Sequence, residues 1–130
     1  IIHDFEKNPL CLYMTDAWVE DHGVQNPAIY DCYPKFLRDS LLGLGDTLPN
    51  TIHRMTGASA ERFMLRERGY LREGCFADIT VFDEEALAKA TPDQEKSFGI
   101  EKVFVNGKLI LDGETLDRGE AARSGRAVRV

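Results

Sequence analysis

Asp16 is the residue whose type and position in this sequence best suit catalysis. It follows Thr15 and the apolar run at residues 10–14, which predicts a strand buried on both faces. A carboxylate can take up and release a proton, which is what general acid–base catalysis needs. The same residue could instead cap the turn or helix that follows the strand, and the sequence alone leaves both interpretations open.

The other residue types that carry chemistry form no self-sufficient motif. His3, His22 and His53 have neither HxH nor HExxH spacing, so they predict no self-contained zinc site. His22 lies in the loop after Asp16, where it could approach the site, although we expect it to face solvent. His53 is expected to be a surface or capping residue. No serine occupies a GxSxG turn, and neither GxGxxG nor a phosphate-loop spacing occurs. The sequence therefore favours neither a serine hydrolase nor a nucleotide-binding protein.

The composition limits the class of protein. The 130 residues suit a single domain with a hydrophobic share of 43%. The formal net charge of −6 argues against nucleic-acid and anionic-membrane partners. No apolar run approaches the roughly 20 residues that cross a bilayer. The three cysteines (Cys11, Cys32 and Cys75) include no CxxC pair and are typical of a reduced, cytoplasmic protein.

The first half of the sequence is predicted to be mainly helical after the strand at residues 10–14. The expected helices are residues 33–44, a short helix capped by Asp46 or Thr47, and residues 57–65 capped by Thr56. Apolar spacing in the last of these helices predicts that Phe63 and Met64 are buried.

The second half is predicted to change to strands. The expected elements are strands at residues 77–82, 102–105 and 108–111, a hairpin turn at Asn106-Gly107, and a helical turn around residues 86–90. Two or three strands in isolation are marginally stable, and their edges need partners. Because the sequence also begins with Ile1 rather than methionine, we expect it to be the C-terminal part of a larger protein.

The stretch HRMTGASAERFMLRERGYLREGCFADITVFDEE resembles the C-terminal segment of the metal-dependent amidohydrolases. Members of that superfamily carry a Gly-x-Leu-x-x-Gly turn before an Ala-Asp strand, and GIEKVFVNGKLILDGE is similar to their closing hairpin. The segments YMTDAW and NPAIYDCYPKFL resemble the strand end and loop of the N-acyl-D-amino-acid deacylases, or D-aminoacylases. Adenine deaminases, dihydroorotases and hydantoinases share the tail, so the loop is what favours the D-aminoacylases.

The resemblance implies an α/β fold of which this chain is one end. Residues 1–68 would supply the last strand, loop and helices of a TIM-type (β/α)₈ barrel. Residues 69–130 would supply the C-terminal strands of a small β-sandwich domain. The upstream part of the same protein, or a second copy of the chain, is expected to cover the strand edges.

The resemblance also implies a role for Asp16. In the family, an aspartate at the end of the last barrel strand binds or approaches the catalytic zinc. It moves a proton from the attacking water to the leaving nitrogen. Asp16 is therefore expected to be both a metal ligand and the catalytic residue, with the remaining zinc ligands in an upstream part of the protein.

The loop departs from the family pattern, which bears on the substrate. The usual His, Arg, Gly and final Arg of the pattern are here Asn26, Ala28, Asp31 and Lys35. The expected activity is hydrolysis of the amide bond of N-acyl-D-amino acids, which are small-molecule substrates, and the isolated chain is expected to be inactive. A dihydroorotase-like or hydantoinase-like reaction on a cyclic amide, or a non-catalytic structural remnant, stays open.

Overall fold

Helices fill the first half of the chain and an antiparallel sheet fills most of the second. The structure, a computed structural model, describes residues 2–23, 25–91 and 98–127. In chain order the elements are α1 (Ile2–Glu6), α2 (Ala28–Leu41), α3 (Leu48–Met55), α4 (Gly57–Arg62), β1 (Ile79–Phe82), α5 (Glu84–Lys89), β2 (Ile100–Val105), β3 (Lys108–Asp112), β4 (Thr115–Leu116) and α6 (Arg118–Ser124).

Helix α2 begins five residues before the predicted helix. The Asn26 side chain accepts a hydrogen bond from the backbone N–H of Ala28 at 3.0 Å, so it satisfies a donor that the first turn leaves free. Pro34 lies inside the helix, which continues past it to Leu41. Gly43 follows with a φ of 69°, a left-handed conformation that suits glycine and ends the helix as predicted.

The four strands form one antiparallel sheet in the order β1-β2-β3-β4. The predicted turn at Asn106-Gly107 is confirmed, because both residues have positive φ angles, 50° and 79°, and join β2 to β3. The predicted strands are confirmed with shifted ends, and β4 is an additional short strand. Only one sheet occurs among the described residues, so the expected second layer of a sandwich is not part of them.

Strand β1 is an edge of this sheet. Its residues pair with β2 on one side, and no described strand pairs with the other side. Beside this edge, a groove of about 570 Å³ separates β1 from α3. Its apolar lining includes Ile52, Tyr70, Leu71 and Ile79. The open edge and the apolar groove together form a surface that another segment could cover.

The core lies between the helices and the sheet. Its buried members are Leu37, Leu87 and Phe98, and the partly buried residues packed against them are Leu41, Leu48, Ile52, Met55, Phe82 and Ala90. Leu37 comes from residues 1–68, and the other two buried members come from residues 69–130. One apolar cluster therefore joins the two segments that the sequence analysis separates.

Two expectations about the helical half are wrong. Residues 10–14 are not a strand in the structure, because a strand needs a neighbour to bond with, and no described strand lies beside them. Phe63 and Met64 are exposed, because α4 ends at Arg62 and Met64 turns into a left-handed conformation with a φ of 56°.

Two short helices in the second half begin with an aspartate cap. Asp83 accepts hydrogen bonds from the N–H groups of Glu85 and Ala86 at the start of α5. Asp117 accepts one from Glu120 at the start of α6, a helix that the sequence analysis missed. None of the helices that the structure describes is long and apolar enough to cross a membrane.

Candidate active site

Asp16 presents an unengaged carboxylate at the surface. Its side chain is exposed and makes no hydrogen bond or ion pair with the part of the chain that the structure describes. Its φ of 42° lies in the left-handed region, which aspartate adopts more readily than most residues. No hydrogen bond among the described residues therefore supports the alternative that Asp16 caps a turn or helix.

The segment before Asp16 is irregular but is held from one side by α2 and α3. The Arg54 Nη1 donates a hydrogen bond to the carbonyl oxygen of Asn8 at 2.8 Å. The Tyr13 ring lies 4.6 Å from the Phe36 ring, measured between centroids. The Cys32 thiol donates to the carbonyl oxygen of Met14 at 3.5 Å. These contacts fix the backbone two to eight residues before Asp16.

The opposite side of the same segment is left uncovered by the residues that the structure describes. Leu10 is 89% exposed and Met14 is 69% exposed, although both are apolar. Trp18, two residues after Asp16, is also largely exposed, and its indole N–H donates to a Glu20 carboxylate oxygen at 2.6 Å. A run of apolar side chains in water is unfavourable. The surface around Asp16 therefore has the character of an interface or of the wall of a larger site.

Arg54 is a buried charge that contacts this segment. Its side chain is only 4% exposed and forms an ion pair with Asp46. Its guanidinium carbon lies 5.5 Å from the centre of the Tyr13 ring. Burial raises the pKa of Tyr13, while a hydrogen bond with Thr51 and the charge of Arg54 oppose that rise.

A separate group of potential metal ligands lies on α1 and α2. One ligand atom from each of His3, Glu6 and Asp39 lies within 4.8 Å of the other two, and both carboxylates are buried. Lys35 and Arg38 lie 2.5 and 3.8 Å from the Asp39 carboxylate oxygens, so Asp39 is already paired with two cations. The Glu6 Oε2 atom lies 3.0 Å from the His3 Nδ1 atom. Asp16 belongs to no such group within the described ranges.

Neither Arg54 nor this acidic group was predicted from the sequence. Glu6 and Asp39 are 33 positions apart, so only the i, i+3 spacing of His3 and Glu6 signalled a contact. The signal for Arg54 was its spacing from Thr51, which places the two buried residues of α3 on one face.

The remaining candidates lie apart from Asp16 or stay at the surface. His22 is exposed, and the exposed His53 ring lies 6.3 Å from the Tyr70 ring. The three cysteines (Cys11, Cys32 and Cys75) are free and half-buried. At the loop position where the resemblance expects an arginine, Lys35 binds Asp39 within α2.

Comparison with curated proteins identifies relatives of the sequence. D-aminoacylase of Alcaligenes xylosoxydans xylosoxydans is 32% identical over 102 residues, which make up 75% of this chain and 21% of that enzyme. N-acyl-D-aspartate deacylase of the same organism is 39% identical over 85 residues, 63% of this chain and 16% of that enzyme. The chain is a homologue of the D-aminoacylases.

Solved D-aminoacylase structures have the same backbone arrangement. A crystal structure of D-aminoacylase, described as defining a novel subset of amidohydrolases, superposes with a TM-score of 0.69 and 30% identity. The match covers 82% of this chain and 23% of that one. A second D-aminoacylase structure, from work on its binuclear metal centre, gives a TM-score of 0.67 at 29% identity with the same coverage. No family model matches the sequence.

The chain spans about a fifth of the length of the D-aminoacylases that it matches. This partial coverage agrees with the expectation that it corresponds to a segment of such an enzyme. The likeness confirms the predicted relation to the N-acyl-D-amino-acid deacylases, which hydrolyse carbon–nitrogen bonds other than peptide bonds. It also confirms the α/β class of the fold.

Proposed function

We propose that this chain forms part of an amidohydrolase that cleaves the amide bond of N-acyl-D-amino acids, with Asp16 as the proton carrier. The observation that carries the proposal is the homology to D-aminoacylases together with the exposed carboxylate of Asp16, which has no hydrogen-bond or ion-pair partner among the described residues. In the complete protein, residues 1–68 would belong to a TIM-type barrel and residues 69–130 to a small β-sandwich domain. The scaffold would then hold Asp16 at the mouth of the barrel.

Zinc is the proposed cofactor, and Asp16 is its proposed ligand from this chain. The D-aminoacylase relatives include one described by a binuclear metal centre and an aspartate-to-alanine mutant in complex with copper chloride. A carboxylate fits a zinc site, and that of Asp16 makes no contact with the described residues that would compete with a metal ion. A bound metal ion polarises a carbonyl group and makes water more acidic. The other ligands would come from the rest of the protein.

Asp16 would move one proton in each half of the reaction. As the attacking water adds to the amide carbonyl carbon, the ionised Asp16 carboxylate takes one of its protons. The protonated Asp16 then gives this proton to the amide nitrogen while the carbon–nitrogen bond breaks. The products are the carboxylic acid of the acyl group and the amine of the D-amino acid, and Asp16 is ionised again. The carboxylic acid then gives its remaining proton to the amine or to solvent.

The rest of the same protein is the proposed partner for the uncovered surfaces. The free edge of β1, the groove beside it and the exposed side chains of Leu10 and Met14 are apolar or unpaired surfaces. The relatives are about five times longer than the aligned segment. Upstream strands and helices of such a protein could bury all three surfaces.

Replacement of Asp16 in the complete enzyme tests the proposal. Asp16→Asn keeps the size of the side chain and removes its charge, so kcat should fall by about 10²–10⁴-fold, the usual contribution of acid–base catalysis. Metal content should remain high, because other ligands hold the ion. Glu73→Gln is the matched control, because Glu73 is an exposed acid in a turn. Turnover in that variant should stay near wild type.

Substrate profiling decides between the alternatives. N-acyl-D-amino acids should be hydrolysed, whereas the cyclic amides cleaved by dihydroorotases and hydantoinases should not. The 130-residue chain by itself should be inactive on both, because it carries one of the several ligands that such a metal site needs. A complete protein that hydrolyses neither class would support a structural remnant. Wild-type kcat in Asp16→Asn would refute the role of Asp16.

A further inference from the structure

We propose that Arg54 is a positioning residue that fixes the segment leading into Asp16, an inference that rests on the proposed role of Asp16. Arg54 lies on α3, 38 positions after Asp16 in the sequence. It contacts the segment twice, through the Asn8 carbonyl oxygen at 2.8 Å and through the face of the Tyr13 ring at 5.5 Å. One buried side chain thereby connects α3 to both ends of residues 8–13.

The segment depends on such contacts because it lacks regular structure. Residues 11–20 belong to no helix or strand, so no ladder of backbone hydrogen bonds defines their path. The Asp16 side chain makes no hydrogen bond or ion pair with the described residues. The position of its carboxylate therefore depends in part on the anchored residues before it, of which Tyr13 is the nearest that Arg54 contacts.

The chemistry of arginine suits this position. The Arg54 Nη1 atom donates to Asn8, while Nη2 pairs with the carboxylate of Asp46. The planar guanidinium can also lie against an aromatic ring while its edges donate hydrogen bonds. A lysine has one ammonium group, which cannot bind both oxygens and cover the ring in this geometry. Arg54→Lys should keep the ion pair and lose the hold on the segment.

A comparable arginine elsewhere in the chain supplies the control. Arg68 pairs with Asp78, donates to the Asn106 side chain at 3.3 Å, and lies 4.5 Å from the centre of the Phe76 ring. These residues lie beside the sheet and outside the segment of Asp16. Arg68→Lys makes the same chemical change in a similar setting, so it separates a general cost of losing an arginine from a specific effect on Asp16.

The first experiment measures backbone order in the 130-residue chain by ¹⁵N relaxation. Ordered backbone has order parameters near 0.85 and flexible backbone falls below about 0.6. In Arg54→Lys, residues 11–16 should fall to the flexible range while α2 and β2 stay ordered. Tyr13→Leu removes the ring and should have the same effect, which covers the case in which Arg54→Lys fails to fold. Arg68→Lys should leave residues 11–16 unchanged.

The second experiment measures kinetics in the complete enzyme, normalised to the folded fraction. A misplaced proton carrier should lower kcat about 10–100-fold, because a displacement of about 1 Å has effects of that size. KM should change by less than about threefold, since no substrate-binding group is altered. A merely structural role would lower the folded fraction and leave kcat per folded molecule intact. Arg68→Lys should show wild-type kcat and KM.

Other results would contradict either the role of Arg54 or the proposed role of Asp16, and the two cases can be told apart. Unchanged order at residues 11–16 in both variants, or loss of order throughout the chain in both, would show that Arg54 does not act specifically on this segment. A flexible segment with wild-type kcat would show that its position does not affect catalysis. If Asp16→Asn itself kept full turnover, the role of Asp16 would fail, and the relaxation data would still decide whether Arg54 orders the segment.

Discussion

The Lys35 ammonium nitrogen lies 2.5 Å from a carboxylate oxygen of Asp39, one helical turn further along α2. The Asp39 side chain is almost completely buried, so the carboxylate depends on this cation and on the nearby Arg38. Lys35 occupies the position where the D-aminoacylase pattern has an arginine. Its charge therefore serves the stability of α2 in this chain.

Loss of the Lys35 charge should destabilise the fold. Lys35→Met leaves the buried Asp39 with a more distant cation, so the free energy of unfolding should fall by about 1–3 kcal/mol. Urea denaturation measures the change. Lys89→Met removes a partner of the exposed Glu85 and should cost less than about 1 kcal/mol. If Lys35→Met and Lys89→Met lowered the free energy of unfolding equally, the Lys35 charge would have no special role in stabilising the buried Asp39.

The core should be most sensitive at Leu87. This side chain is fully buried, and Gly99 lies so close that a methyl group there would be 2.6 Å from the Leu87 Cγ. Leu87→Ala should lower the free energy of unfolding by about 2–5 kcal/mol. Leu109→Ala, on the partly exposed face of β3, should cost clearly less in the same denaturation experiment. If Leu87→Ala lowered the free energy of unfolding as little as Leu109→Ala, Leu87 would not be a central core residue.

Asp46 should give stability a dependence on acid pH. Burial alone would raise its pKa, but hydrogen bonds from the Thr47 backbone and the Asn50 side chain, with the nearby Arg54, lower it below the ordinary 3.8. A lowered folded-state pKa means that the ionised group stabilises the fold fully above the ordinary value. This contribution is lost as the pH falls through the folded-state value.

The comparison of Asp46→Asn with wild type isolates this contribution. The variant should be less stable at pH 7, and the difference should shrink below about pH 4, where wild type loses the same charge. Denaturation curves collected between about pH 3 and pH 7 provide the measurement. Asp112→Asn is the control, because its partner Lys102 is exposed at the surface. If the difference in unfolding free energy between Asp46→Asn and wild type did not vary with pH, the ionised Asp46 carboxylate would not be the source of the pH dependence.

The open edge of β1 should make the isolated chain self-associate. Unpaired strand edges attract other strands, and a lysine on the edge opposes that pairing. Val81→Lys should therefore shift the chain towards monomer in sedimentation velocity experiments. Leu109→Lys adds the same charge to β3, away from the β1 edge, where Leu109 is 39% exposed and Val81 is 37% exposed. This variant should not shift the chain towards monomer. If the wild-type chain were monomeric at all concentrations tested, the edge of β1 would not cause self-association.

Local signals predicted the sheet better than the helical half. The turn at Asn106-Gly107 needs only its own two residues, since both must adopt positive φ angles, and its register follows from the turn. Helix α6 also carried a local signal, the Asp117 cap three residues before Glu120, but it has few apolar residues to indicate a buried face.

The errors arise where structure depends on distant residues. Residues 10–14 have the composition of a buried strand, yet a strand forms only beside another strand, and composition cannot supply one. Arg54 is an unremarkable arginine in sequence, because its burial depends on Asp46 and on Asn8, 46 positions away. Asp16 could be selected as a candidate, but its open surroundings and backbone conformation required coordinates.

The turn between β2 and β3 has a consequence for the chemical ageing of the protein. Asn-Gly sequences lose ammonia readily, because the glycine nitrogen attacks the asparagine side chain to form a succinimide. Here the Gly107 N–H donates to the Ala77 carbonyl oxygen at 2.9 Å, and the Asn106 amide group donates to Ser124. Both reacting groups are held in place while the chain is folded. Conversion of Asn106 to aspartate or isoaspartate, measured by peptide mass spectrometry, should therefore record the time that a sample has spent unfolded.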